Sequence, residues 1–126
     1  MQHEFQISHR SDSGWTVVEV YGEADVSTVP QIRDHVVELI REGDRRFIVD
    51  LLGVTFIDST GLGVLVGILK RIRACRGELR LVIANPDVRR IFTITGLHNV
   101  FSIYDSVDWR RRHPDPQGEA GVTSRP

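Results

Sequence analysis

An α/β domain with a mixed sheet, opened by a β-hairpin and continued in the order ββαβαβαβ, is the fold class this sequence predicts. Three observations carry the prediction. The segment through Tyr21 pairs β-branched and aromatic runs around a polar turn. From Thr28 onward the apolar period switches repeatedly to helical spacing. Between those helical stretches lie short, nearly continuous apolar runs of the kind that parallel strands covered by helices require.

Phe5 and Ile7 alternate with polar neighbours, and Arg10 to Gly14 supplies the turn before Trp15-Thr-Val-Val-Glu-Val-Tyr21. This is the opening hairpin. Val29, Ile32, Val36, Leu39 and Ile40 then mark a first helix, with Ser27 or Thr28 as its cap, Pro30 in its first turn and Gly43 as its stop. Phe47-Ile-Val-Asp-Leu-Leu52 reads as a central strand buried on both faces. Leu62, Leu65, Val66, Leu69 and Ile72 form the apolar stripe of a second helix, whose last turn (Lys70, Arg71, Arg73, Arg76) suits the negative end of the dipole before Gly77. Leu79 to Ile83 is the next strand. Asn85-Pro86-Asp87 supplies a cap, a first-turn proline and a first-turn acid for a short helix through Val88, Ile91 and Phe92 that stops at Gly96. Val100 to Tyr104 closes the sheet. Parallel crossovers after the hairpin give a mixed sheet flanked by helices.

The chain has 126 residues, 40% hydrophobic and 26% charged, which fits one domain with one core. The expected domain spans residues 1–112. Residues 113–126, where Pro114, Pro116 and Pro126 stand beside Gly118 and Gly121, read as a disordered tail, with one helical turn around Trp109 before it. Sixteen Lys and Arg balance seventeen Asp and Glu, leaving a formal net charge of -1, so no global field attracts nucleic acid. The N-terminus has no basic and apolar leader pattern, no run reaches membrane-spanning length, and Cys75 has no cysteine to pair with. The expectation is a cytoplasmic protein without membrane insertion.

The chemistry is concentrated in Phe56-Ile-Asp-Ser-Thr-Gly-Leu-Gly63, at the junction of a central strand and a helix. The first amides of such a helix have no intrahelical partner, and with the dipole they favour negative charge. Asp58 or Ser59 serves as a cap, and Gly61 and Gly63 let the helix start close to the strand. Asp58, Ser59 and Thr60 together offer more capping groups than one helix end uses, which leaves a hydroxyl for solvent. Away from the core stripe the second helix carries Val64, Gly67 and Ile68, small or apolar where a solvated face shows Lys or Glu, so this face is either a docking surface or covered by neighbouring helices. Gly22-Glu-Ala-Asp25 ends the second strand, where Asp25 is either a turn former or a neighbour of Ser59.

Gly22-Glu-Ala-Asp25, Asp58-Ser-Thr-Gly-Leu-Gly63, Thr95-Gly-Leu97 and Phe101-Ser-Ile-Tyr-Asp-Ser106 occur in the order and spacing of one family. From His3 to Asp108 the chain resembles the anti-sigma-factor antagonists of the STAS domain family. The resemblance implies a partner switch. The unphosphorylated protein binds an anti-sigma factor that is also a serine kinase and so frees the sigma factor; phosphorylation ends binding and a serine phosphatase resets it. It places the phosphoacceptor at Ser59, with Asp58 before it and Asp25 as the matching loop acid; Thr60 and Gly61 are expected to support that site, and the helix face with Gly63, Val64, Gly67 and Ile68 is the expected partner-binding surface. ATP and magnesium belong to the kinase, so this chain needs no cofactor or metal of its own.

Other chemistries fit less well. A serine hydrolase needs a base and a Gly-x-Ser-x-Gly elbow, whereas His3, His9, His35, His98 and His113 are scattered and lack metal-ligand spacing. Gly61-x-Gly63-x-x-x-Gly67 has no acid closing the next strand, and no Gly-Lys-Ser/Thr loop occurs. The expectation is a chain that is not an enzyme. The alternative within the same fold is an accessory subunit of a membrane transporter's ATPase, without a phosphorylation cycle.

Overall fold

Ser13 and Gly14 both take positive φ, 54° and 89°, and this two-residue turn matches the twist of the strands it joins. It folds β1 (Gln6–Asp12) antiparallel onto β2 (Trp15–Ala24), from Asp12 opposite Trp15 to Gln6 opposite Tyr21. The computed structural model describes residues 4–106 and continues with α1 (Val29–Arg41), β3 (Arg46–Ile57), α2 (Ser59–Ala74), β4 (Glu78–Val82), α3 (Pro86–Ile94), a 3-10 turn at Leu97–Asn99 and β5 (Ser102–Tyr104). The expected order ββαβαβαβ is the observed one. The tail at 113–126, the domain limit at residue 112 and the helical turn around Trp109 lie outside the described residues.

The five strands stand in sequence order, β1-β2-β3-β4-β5, with β2 to β5 mutually parallel. Each right-handed crossover therefore steps to the next strand in one direction, which puts all three helices on one face of the sheet. The main core forms there. Val18 and Val20 of β2, Phe47, Val49 and Leu51 of β3 and Leu81 of β4 pack against Ile32 and Val36 of α1, Leu65 and Ile72 of α2 and Phe92 of α3. The alternate residues Trp15, Val17, Ile48 and Val82 make a separate, smaller cluster on the other face, where the Arg46 guanidinium lies 4.3 Å from the Trp15 ring centroid. Strand residues Phe47 to Leu51 are thus buried on both faces, although the helices lie on one.

Two boundaries differ from the sequence pattern. The central strand runs on through Gly53 to Ile57 instead of ending at Leu52, with register shifts between Glu19 and Tyr21 and between Gly22 and Glu23. Gly53 does not break it, because the Tyr21 ring lies over the space where a Cβ would project. The last strand begins at Ser102, since the amides of Val100 and Phe101 are taken by the Leu97 carbonyl at 2.9 and 3.0 Å and close the 3-10 turn. At the start of α1, Thr28 occupies the cap position but makes no side-chain cap bond.

Candidate functional site

Ala24 and Ile57 are register partners at the ends of two parallel strands, so Asp25 and Asp58 leave the same edge of the sheet as neighbours. The junction is tight. The Asp58 amide reaches the Ala24 carbonyl at 3.4 Å, and a Cβ on Gly61 would come within 2.8 Å of the same carbonyl oxygen and of Ile57 Cγ1. Glycine at position 61 is what lets the first turn of α2 sit against the end of β2.

Asp58 has extended backbone (φ -112°, ψ -174°), and its Oδ1 accepts from the Gly61 amide at 2.9 Å while its carbonyl accepts from the Leu62 amide at 2.9 Å. It is the cap of α2. Ser59 is then the first residue of the helix and Thr60 the second; both are exposed, and among the described residues neither hydroxyl makes a hydrogen bond. With the cap already satisfied by Asp58, the Ser59 oxygen faces solvent beside the positive end of the helix dipole.

Asp25 is both a turn former and a neighbour of this helix end. Its carboxylate accepts from the Ser27 hydroxyl at 2.7 Å and the Ser27 amide at 3.0 Å, and its carbonyl accepts from the amides of Thr28 and Val29. The Thr28 hydroxyl accepts from the Asp25 amide and donates to the Glu23 carbonyl at 2.6 Å, which accounts for its absence from the helix cap. The Ser27 hydroxyl, then the Ser27 amide, hold the Asp25 carboxyl below the ordinary carboxylate value. A fixed negative charge therefore stands at the strand end next to that of Asp58.

Along α2, Ser59, Gly63 and Gly67 recur every fourth residue on one face. Gly63 and Gly67 are exposed, and nothing lies within 4 Å of where their side chains would start. Val64 is half-buried against the main core. Ile68, expected on the outward face, is 1% exposed and belongs to the core. The buried stripe runs through Gly61, Leu65, Ile68 and Ile72 as well as Leu62 and Leu69, because α1 packs against this side of α2. That rotation leaves Val66 only half-buried.

Two exposed apolar residues at the same edge carry no signal in the sequence. Val26, in the turn after Asp25, is 69% exposed, and Phe56, opposite Glu23 on the face away from the helices, is 45% exposed. An isolated Phe in a strand reads as core; only the register shows that Ile57, not Phe56, faces inward. Among the described residues no group of three or more His, Cys, Asp or Glu is placed to hold a metal ion, and no helix is long and apolar enough to cross a membrane.

A family model described as the STAS domain matches residues 6–109. The chain is 35% identical over 91 residues to an anti-sigma-B factor antagonist of Staphylococcus aureus, covering 72% of this chain and 84% of that protein. Its fold superposes with a TM-score of 0.80 on an anti-sigma factor antagonist from Mycobacterium paratuberculosis, at 24% identity over 90% of this chain and 97% of the other. It also matches the Bacillus cell-fate determinant SpoIIAA in its phosphorylated form, with a TM-score of 0.65, 25% identity, 86% of this chain and 98% of that one.

Proposed function

The chain belongs to the STAS domain family, and from that premise we propose that it is an anti-sigma-factor antagonist switched by phosphorylation of Ser59. The observation that carries this reading is the exposed Ser59 at the first position of α2, whose hydroxyl has no hydrogen-bond partner among the described residues because Asp58 caps the helix. The similarity to a protein known in a phosphorylated form supports it.

In the unphosphorylated state the edge of the sheet and the outer face of α2 bind an anti-sigma factor that is itself a serine kinase. Gly63 and Gly67 leave that face flat, and Val64 gives it an apolar flank. Asp25, Asp58, Thr60 and Gly61 shape the acceptor: Gly61 seats the helix end, Asp58 caps it, Thr60 stands beside the serine and Asp25 fixes the adjacent turn. The kinase supplies ATP and magnesium. Transfer of its γ-phosphoryl group to Ser59 Oγ displaces the hydroxyl proton and leaves ADP.

A phosphate adds about -1.5 to -2 charges to a surface suited to close contact. The helix end favours that charge by about 0.3–1 kcal/mol, whereas the Asp58 and Asp25 carboxylates oppose it. Docking fails while the fold persists, and a serine phosphatase restores binding by hydrolysing the ester.

Incubation with ATP and each serine-kinase anti-sigma factor of the source genome, followed by peptide mass spectrometry, tests the proposal. One kinase should add a single phosphate at Ser59, and Ser59→Ala should stay unmodified yet still bind. Ser59→Asp should weaken binding without unfolding. Equal affinity of the two variants, or no modification by kinases active on their own substrates, would overturn the switch.

A further inference from the structure

His9 on β1 and His35 on α1, far apart in the sequence, meet at the surface with His9 Nδ1 and His35 Nε2 2.8 Å apart. Their rings stand edge to face, with centroids 5.0 Å apart and an interplanar angle of 68°. The pairing follows from the register that sets His9 opposite Val18, on the side of the sheet that α1 covers. We propose that His9 and His35 form a two-imidazole chelate for a divalent transition metal of the imidazole-binding class, Ni2+, Cu2+ or Zn2+, tying the edge strand to α1.

The two ring nitrogens already meet at hydrogen-bond distance, and neutral imidazole is a ligand for Ni2+, Cu2+ and Zn2+, so the rings need only turn to aim both lone pairs at one ion. In the metal-free pair one ring nitrogen donates to the other. Metal binding moves that shared proton to the donor ring's other nitrogen, so both neutral rings turn a lone pair to the ion and no net proton is lost. His9 is exposed and His35 half-buried, so water completes the coordination.

The test uses untagged full-length protein carrying His3→Ala, which removes a competing histidine. Calorimetric titration with NiCl2 should show one site, and NiCl2 should raise Tm by several degrees while MgCl2 does not. His9→Gln and His35→Gln should each weaken Ni2+ at least tenfold and abolish the Tm rise. Substoichiometric Cu2+ should broaden the NMR signals of His9 and His35 before those of His98. Absence of Ni2+ binding, or binding unchanged in both variants, would overturn the site. A single-histidine effect, with only one variant impaired, would overturn the chelate.

Discussion

Helix α2 carries two kinds of glycine, and they sit on opposite sides of it. At Gly61 a methyl group would strike the Ala24 carbonyl and Ile57, while at Gly63 and Gly67 it would meet open space. The first is required by packing. The other two are exposed in mid-helix, where glycine costs about 0.5–1 kcal/mol relative to alanine and the fold gains nothing from it. The docking role proposed for the outer face of α2, which begins one turn from an exposed serine, would account for that loss of stability.

Substitutions on the two sides should therefore separate stability from binding. The largest effect is expected inside: Ile68→Ala removes a side chain that is 1% exposed, and chemical denaturation should show a loss of about 2–4 kcal/mol. An Ile68→Ala variant of unchanged stability would return this residue to the surface. Gly61→Ala comes next, because its Cβ would lie 2.8 Å from a backbone oxygen that cannot move without dragging the end of β2. A destabilisation of about 1–3 kcal/mol is expected in urea unfolding. Modification of Ser59 should slow as well, since the acceptor turn is displaced with it.

On the outer face the sign reverses. Gly63→Ala and Gly67→Ala should each stabilise the fold by about 0.5–1 kcal/mol through helix propensity. Both should weaken binding of the anti-sigma factor, measured by calorimetry, because each methyl stands proud of a flat surface. Stabilisation with unchanged affinity would remove α2 from the interface and leave the sheet edge, with Val26 and Phe56, as the contact.

The same contrast marks what was legible in the sequence. Element order, the caps at Asp58 and Asn85 and the junction around Ser59 are local signals, written in residues within a few positions of one another. The helical period alone leaves open whether the face of Val64, Gly67 and Ile68 docks a partner or is covered; packing settles Ile68 as covered, while Val66 of the expected stripe is only half-buried at the core's margin. The strand pattern of Phe47 to Leu52 gives no sign that β3 continues through Gly53 to Ile57; the Tyr21 ring over Gly53 lies on the neighbouring strand and is visible only in the register. The nearness of Asp25 to the helix end, the exposure of Phe56 and the meeting of His9 with His35 all depend on strand register or tertiary packing, which no window of sequence contains.

Strand β3 extends the comparison to two acids eight residues apart in one run of chain. Asp58, at the strand's end, spends its carboxylate on a helix cap. Asp50, in the middle, is 8% exposed and accepts from the Leu52 amide at 2.9 Å, yet burial, reinforced by Glu19, raises its pKa above the ordinary 3.8. The folded state thus binds a proton more readily than the unfolded one in a window that opens upward from 3.8, so this residue's contribution to stability falls as pH rises through that window. The penalty grows as the pH rises from 3.8. Asp50→Asn keeps an oxygen for the Leu52 amide and removes the buried charge, so it should stabilise the protein at pH 7 by under about 1 kcal/mol. The advantage should shrink as the pH is lowered toward 3.8. Urea unfolding of both proteins across that range measures it, and an advantage that stays constant with pH would show that the gain comes from packing rather than from charge.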